Sequence, residues 1–238
     1  MKTIFVSMFS LVALLCVEAG TLESQLMEKK NTPSAKSNPE TRKIYEAGIV
    51  AVRESGVVEK VVQVGQKVPD FTLKNAKGEA VMLSELLKAG PVVLTWYRGG
   101  WCPYCNITLA AMQKVLPEIK EAGAQLVALT PELPDKSLST REKNGLTFEV
   151  LTDLNHGVAK AYGVAFELTP EVAAKYQEHF NLLEFNGKEA GDNVLPLAAT
   201  YVIDQEGVVR WGFLDADYRK RAEPAEVVAF LKGGMKGK

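Results

Sequence analysis

The 238-residue sequence predicts an α/β domain with three layers and a central mixed β-sheet. Helical and strand-like patterns alternate along most of the chain. Residues 125–130 form an apolar run of the kind found in strands that are covered on both faces. Two strand-like runs flank residues 205–207, which predicts an antiparallel hairpin late in the chain. The predicted order is therefore β, β, β, α, β, α, β, α, followed by a hairpin and a helix.

The composition excludes several classes of protein. Hydrophobic residues make up 47% of the chain, which argues against general disorder. The net charge of -1 gives no electrostatic reason to expect nucleic acid as a partner. With only three cysteines, Cys16, Cys102 and Cys105, a framework of several disulfides is excluded.

Residues 1–19 have the pattern of a secretory signal peptide. Lys2 precedes an apolar stretch over residues 4–17, and small residues at Val17 and Ala19 favour cleavage after Ala19. The stretch is shorter than the ~20 residues of a membrane helix. We therefore expect an exported protein, periplasmic or otherwise extracytoplasmic, with no stable membrane association after cleavage. An uncleaved anchor remains the alternative.

The chain after the signal divides into three parts. Residues 20–59 are predicted to be a leader, with a flexible polar stretch over 20–39 and an N-terminal helix over 40–55. Residues 60–233 are predicted to be the compact domain, and residues 234–238 a short tail.

Each predicted element of the domain follows a local pattern. Strands are predicted where β-type residues run between turn residues, at 69–73, 80–83, 92–97, 125–130, 147–151, 200–204 and 208–214. Helices are predicted where apolar residues recur at three- and four-residue steps or a cap residue begins a run, from Ser84, from Pro103, at 137–144, 155–162 and 169–180, and from Glu223 to Gly233. Residues 181–195 are predicted to be a loop.

Residues 97–106 (YRGGWCPYCN) are the stretch with the clearest chemistry. A buried strand leads into them and a helix follows, so the cysteine pair lies at a strand-to-helix turn. The two glycines allow the backbone to turn without a Cβ clash, and Pro103 suits the first helical position. Cys102 then lies at the helix N-terminus, where orphan N–H groups and the helix dipole favour a thiolate. Arg98 is a candidate to add to this effect.

Other interpretations of the cysteine pair are weaker. A structural disulfide rarely occupies such a turn, and a zinc site needs four ligands, whereas His156 and His179 are far away in sequence. Both histidines are expected to be solvated helix residues. We therefore expect no metal and no cofactor.

The sequence resembles the peroxiredoxin-like branch of the alkyl hydroperoxide reductase/thiol-specific antioxidant (AhpC/TSA) family, over about residues 60–232. The residues that carry the resemblance are Gly65, 69–73 (PDFTL), 90–94 (GPVVL), 97–106 (YRGGWCPYCN), 195–196 (LP), 199–204 (ATYVID), Gly207, 217–218 (DY) and 221–224 (RAEP). The resemblance implies a thioredoxin-like three-layer fold. It also implies reduction of a small peroxide by a Cys102 thiolate, with Cys105 as the resolving thiol and a thioredoxin-like dithiol as the reductant. A homodimer is left open.

Three positions differ from the common peroxiredoxin pattern. Thr95 and Gly99 stand where the proline and threonine before the peroxidatic cysteine are expected, and Ala198 stands near the position of the peroxide-binding arginine. Arg98 and Arg210 are the alternatives for that guanidinium. Pro196 is the nearest equivalent of the cis-proline that faces the cysteines in thioredoxins, although it is offset by about two residues.

The sequence thus leaves three functions open. The first is an exported thiol peroxidase that uses Cys102 and Cys105. The second is an exported thiol–disulfide oxidoreductase, which the two-residue spacing within the pair also suits. The third is a non-enzymatic redox sensor or binding protein.

Overall fold

The computed structural model describes residues 20–32, 39–187 and 193–234. Seven strands form one sheet in the order β2-β1-β5-β4-β3-β8-β9, and two more form a small separate ladder, β6-β7. The strands are β1 Thr72–Asn75, β2 Ala80–Met82, β3 Val92–Trp96, β4 Gln125–Thr130, β5 Glu149–Thr152, β6 Ala165–Glu167, β7 Val194–Pro196, β8 Thr200–Ile203 and β9 Val209–Phe213. Strand β4 is parallel to β3 and β5, whereas the other pairs are antiparallel. The predicted mixed sheet is confirmed.

Helices cover both faces of this sheet. They are α1 Leu22–Asn31, α2 Pro39–Glu54, α3 Leu83–Ala89, α4 Pro103–Glu121, α5 Pro134–Lys143, α6 Gly157–Ala161, α7 Pro170–Phe180, α8 Leu182–Asn186 and α9 Pro224–Lys232. Because side chains alternate along a strand, Val93 packs into one core with α4 and α9, while Val92 and Leu94 pack into another with α3 and α6. The three predicted layers are therefore present.

The first described helix corrects the prediction of a flexible leader over residues 20–39. Residues 22–31 form α1, which is capped by the Thr21 hydroxyl and buries Leu22 and Leu26 against Ala111 of α4. Glu223 accepts hydrogen bonds from the backbone N–H groups of Leu22 and Glu23. The helix depends on these contacts with distant parts of the chain, which a local pattern does not reveal.

The predicted loop over residues 181–195 is also wrong in part. Residues 182–186 form α8, and residues 194–196 form β7, which pairs with β6. Strand β6 was not predicted, because a three-residue strand carries little periodicity. Helix α5 begins three residues before the predicted start, at Pro134.

The predicted signal peptide at residues 1–19 and the tail beyond Gly234 lie outside the described residues. Within the described part of the chain, no helix combines the length and apolar character needed to cross a membrane.

Candidate active site

The cysteine pair lies where β3 passes into α4. Cys102 is the N-cap of α4 and Pro103 is its first residue, as predicted. Gly99 has a φ of 144°, and a Cβ on Gly99 would overlap the Trp101 ring. A Cβ on Gly100 would overlap the Thr140 hydroxyl. The turn therefore requires both glycines, which brings the Cys102 sulfur to the helix N-terminus.

Both cysteines are buried free thiols, and each sulfur has an arginine beside it. Cys102 and Cys105 are each 0% exposed. Arg98 donates from Nη2 to Cys102 Sγ at 3.1 Å, and its backbone N–H donates to Cys105 Sγ at 3.5 Å. Arg221 donates from Nη2 to Cys105 Sγ at 3.4 Å. The dithiol is thus held between two guanidinium groups.

These contacts drive the pKa values of the two thiols apart. Burial opposes ionisation of Cys102, but hydrogen bonding from Cys105 and the charges of Arg98 and Arg221 outweigh it, so the pKa of Cys102 lies well below its usual value. Burial and the hydrogen bond to Cys102 raise the pKa of Cys105 well above its usual value. The surroundings of the pair therefore favour ionisation of Cys102 over ionisation of Cys105.

The Arg98 guanidinium is enclosed by aromatic rings. Its central carbon lies 5.1 Å from the centre of the Trp101 ring, 5.3 Å from that of Tyr176 and 3.9 Å from that of Tyr218. Arg98 also donates from Nη1 to the Tyr176 hydroxyl at 2.8 Å. Since the side chain is only 3% exposed, this enclosure fixes the charge beside the Cys102 sulfur.

A buried carboxyl group supports the turn from the other side. Glu132 Oε1 accepts hydrogen bonds from the Gly100 N–H at 2.7 Å and from the Thr140 hydroxyl at 3.2 Å. Burial raises the pKa of Glu132, although these hydrogen bonds oppose the shift. Glu132 thereby links the end of β4 to the cysteine turn.

The structure brings together the three predicted site residues, Cys102, Cys105 and Arg98. Of the two candidate arginines, Arg98 contacts the Cys102 sulfur, whereas Arg210 pairs with Asp204 and Glu206 at the β8–β9 turn. The segment 221–224 carried part of the resemblance, but Arg221 itself was missed as a site residue. It lies 116 residues from Cys105 in sequence, so only the fold shows the contact.

Two further expectations for side chains are corrected. His156 is only 1% exposed and precedes α6 in a left-handed conformation, and the His179 Nδ1 lies 3.0 Å from the Tyr45 hydroxyl. His156 is therefore not a solvated helix residue, whereas His179 lies in α7 but is partly buried. The peptide bond before Pro196 is trans, so Pro196 is not a cis-proline facing the cysteines. Among the described residues, no three His, Cys, Asp or Glu side chains are grouped to hold a metal ion.

Parts of the chain are similar in sequence to known proteins. The chain is 29% identical over 149 residues to "Peroxiredoxin Q, chloroplastic" of Populus jackii, covering 63% of this chain and 59% of that protein. It is 29% identical over 105 residues to "Thiol-disulfide oxidoreductase ResA" of Halalkalibacterium halodurans, covering 44% of this chain and 58% of that protein. The chain thus spans less than two thirds of the length of either protein.

A solved structure confirms the thioredoxin-like fold. Peroxidoxin BcpB from Mycobacterium tuberculosis superposes with a TM-score of 0.58 at 23% identity, covering 73% of this chain and 98% of that one. The model of the AhpC/TSA family matches residues 64–212, which include β3, the cysteine turn and α4. Because this match covers more than half of the chain, the protein belongs to the AhpC/TSA family.

Proposed function

We propose that the protein is a thiol-dependent peroxidase in which Cys102 attacks the peroxide. The observation that carries this proposal is the hydrogen bond of 3.1 Å from Arg98 Nη2 to Cys102 Sγ, together with the depressed pKa of that thiol. A thiolate is the nucleophile in thiol chemistry, and a fixed guanidinium stabilises the negative charge that develops on the leaving oxygen. Ala198 stands near the position of the peroxide-binding arginine of common peroxiredoxins, and we assign that role to Arg98 instead.

The first step transfers one oxygen atom to sulfur. The Cys102 thiolate attacks one peroxide oxygen, the O–O bond breaks, and the other oxygen leaves with the bonding electron pair and takes up a proton. Hydrogen peroxide gives water and an organic hydroperoxide gives an alcohol, while Cys102 becomes a sulfenic acid.

The second step forms a disulfide and is the role we assign to Cys105. Its sulfur attacks the Cys102 sulfur, the S–O bond breaks, and the hydroxyl leaves as water with the thiol proton of Cys105. Because the pKa of Cys105 is raised, its thiolate needs stabilisation, and the Arg221 guanidinium at 3.4 Å supplies it. An external dithiol of the thioredoxin type then reduces the disulfide by thiol–disulfide exchange.

An extracytoplasmic location is part of the proposal. It is supported by the signal-like pattern of residues 1–19. A test is the mass of the N-terminus after expression with residues 1–19 present, with cleavage after Ala19 as the expected result and an intact N-terminus in the cytoplasm as the contrary one.

A second function, exchange with protein disulfides, is favoured by the spacing of the pair at a helix N-terminus and by the match to ResA. The complete burial of both sulfurs and the trans peptide bond before Pro196 favour the peroxidase instead. Both reagents must contact the Cys102 sulfur, but a peroxide needs a smaller opening of this buried site than a protein disulfide does.

The test is stopped-flow oxidation of the pre-reduced protein by hydrogen peroxide, followed by tryptophan fluorescence. Trp101 is a suitable reporter because it contacts Arg98 at the site. We expect wild type to react about a hundredfold faster than free cysteine at the same pH. Cys102→Ser should abolish the reaction, and the matched variant Cys105→Ser should keep the first step and accumulate sulfenic acid. Unchanged peroxide consumption by Cys102→Ser would refute the proposal, and rapid exchange with a disulfide substrate would favour the second function.

A further inference from the structure

An open cavity of about 430 Å³ leads to Arg98 from the surface. Its lining includes residues of α1 and α2, which lie outside residues 64–212, as well as residues of the cysteine turn and α7. Hydrogen peroxide would fill only a small part of this space, since a water molecule occupies about 30 Å³ in the liquid. The volume instead falls in the range of sites that hold organic ligands, roughly 300–1,000 Å³.

The inner walls of the cavity are aromatic. Six aromatic side chains line it: Tyr45, Trp101, Tyr104, Tyr176, Phe180 and Tyr218. Trp101 packs against Tyr176 and Phe180 with ring centres 5.3 Å and 5.2 Å apart. Such walls suit an apolar body rather than a small polar molecule.

The described lining of the cavity is also rich in positive charge. Five cationic side chains and one carboxylate are among the described lining residues: Lys29, Lys30, Arg42, Arg98, Arg219 and Glu46. Arg98 faces the Cys102 sulfur, and Arg219 is bound to Glu46 and Asp217. Lys30 also faces the Glu46 and Asp217 carboxylates. Even so, the lining as a whole carries an excess of positive charge, with Lys29 and Lys30 of α1 at the outer end.

A neighbouring cavity provides a contrast. It measures about 310 Å³, lies on the Arg221 side of α1, and shares Lys30 and Arg219 with the first. Four cationic and four acidic side chains line it, so their charges balance. The positive excess therefore distinguishes the larger cavity from this neighbour.

From these features we propose that the cavity selects organic hydroperoxides that carry a carboxylate. The apolar body packs on the aromatic walls, the carboxylate lies near Lys29 and Lys30, and the hydroperoxide group reaches Arg98. The inference rests on the proposed peroxidase function and assigns its specificity to α1. The reaction is the one described above, with the thiolate taking one oxygen and the alcohol of the substrate leaving.

The test compares two probes that differ in charge and by one methyl group. They are cumene hydroperoxide with a para carboxylate and the methyl ester of that compound, with hydrogen peroxide as the reference substrate. Second-order rate constants for oxidation of pre-reduced protein are measured by stopped flow. We expect wild type to prefer the carboxylate probe over the ester by about tenfold at low salt. The preference should shrink as salt rises from about 20 mM to about 500 mM, because exposed charges are screened.

Variants assign the preference to residues. Lys29→Gln with Lys30→Gln should reduce it to about twofold or less and leave the rate with hydrogen peroxide unchanged. The matched control, Lys43→Gln with Lys114→Gln, removes two exposed charges that do not line the cavity and should keep the preference. Equal rates with the two probes in wild type would overturn the inference, and so would a preference that survives the loss of Lys29 and Lys30. In either case, reduction of hydrogen peroxide would still support the proposed peroxidase function. If the protein reduces none of the three peroxides, the proposed peroxidase function itself is wrong.

Discussion

Replacing Arg98 with glutamine should raise the pKa of Cys102 toward its ordinary value, while the hydrogen bond from Cys105 and the charge of Arg221 still lower it. In the folded protein, burial raises this pKa while Arg98 and the other donors lower it. At 3.1 Å, a unit positive charge and a thiolate attract by about 5 kcal/mol at an effective dielectric constant of about 20. That is large beside the ~1.4 kcal/mol that corresponds to a tenfold change in ionisation. Glutamine removes the charge, so burial is then opposed less strongly.

The size of the effect follows from the fraction of thiolate. With a pKa of about 8.5, only about 3% of a thiol is ionised at pH 7. Arg98→Gln should therefore react with hydrogen peroxide and with iodoacetamide more slowly than wild type at pH 7, by up to ~30-fold for a complete return to that pKa. The rate with iodoacetamide should recover as the pH rises through the new pKa. If the rate with hydrogen peroxide stays below that of wild type at high pH while the rate with iodoacetamide recovers, the remaining difference measures how far Arg98 stabilises the leaving oxygen.

The assay is the pH dependence of both reactions, with thiolate absorbance at 240 nm as an independent titration. Arg98→Lys retains a charge without the planar fork and should fall between the other two proteins. Arg210→Gln is the matched control, because Arg210 pairs with Asp204 at the β8–β9 turn rather than with sulfur. Alkylation of Arg98→Gln at pH 7 within threefold of wild type would refute this reasoning.

Three further outcomes are expected. Arg221→Gln should prolong the lifetime of the Cys102 sulfenic acid about tenfold, measured by dimedone trapping, because Cys105 loses the cation beside its sulfur; an unchanged lifetime would contradict this role. Leu26→Ala should weaken the packing of α1 by about 2–4 kcal/mol and speed amide exchange in that helix, because Leu26 is buried. Met27→Ala is the matched control, because Met27 is exposed, and it should leave amide exchange in α1 unchanged. Glu132→Gln should flatten the pH dependence of stability, measured by unfolding in urea. The pKa of the Glu132 carboxyl is raised in the folded protein, so wild type loses stability as the pH rises from about 4.5 through that pKa. An equal dependence of stability on pH in the variant would contradict the assignment.

Local patterns predicted the elements that surround the cysteine pair. Each local feature determines the structure of its own segment. The apolar run before Tyr97 predicts β3, the two glycines predict the turn, and Pro103 predicts the start of α4. The same holds for the hairpin of β8 and β9. These features depend on contacts within a few residues.

The features that were missed depend on distant contacts. Helix α1 has few apolar residues, and it is held by Ala111 and by the Glu223 carboxylate, which is 201 residues from Leu22. Arg221 likewise meets Cys105 only because the segment after β9 returns to the N-terminus of α4. The local pattern located the cysteines at a helix N-terminus and the family resemblance implied their roles, whereas the arrangement of positive charge around them required the fold.

The contact between α1 and Glu223 also affects how the protein can be divided. A fragment cut to the family match at residues 64–212 would contain both cysteines and Arg98. It would lack Tyr218 over the guanidinium, Arg221 beside Cys105, and the α9 side chains that fill the core around α4. It would also lose α1 and α2 and hence the outer wall of the cavity. The smallest functional unit of this chain is therefore larger than the segment that matches the family model.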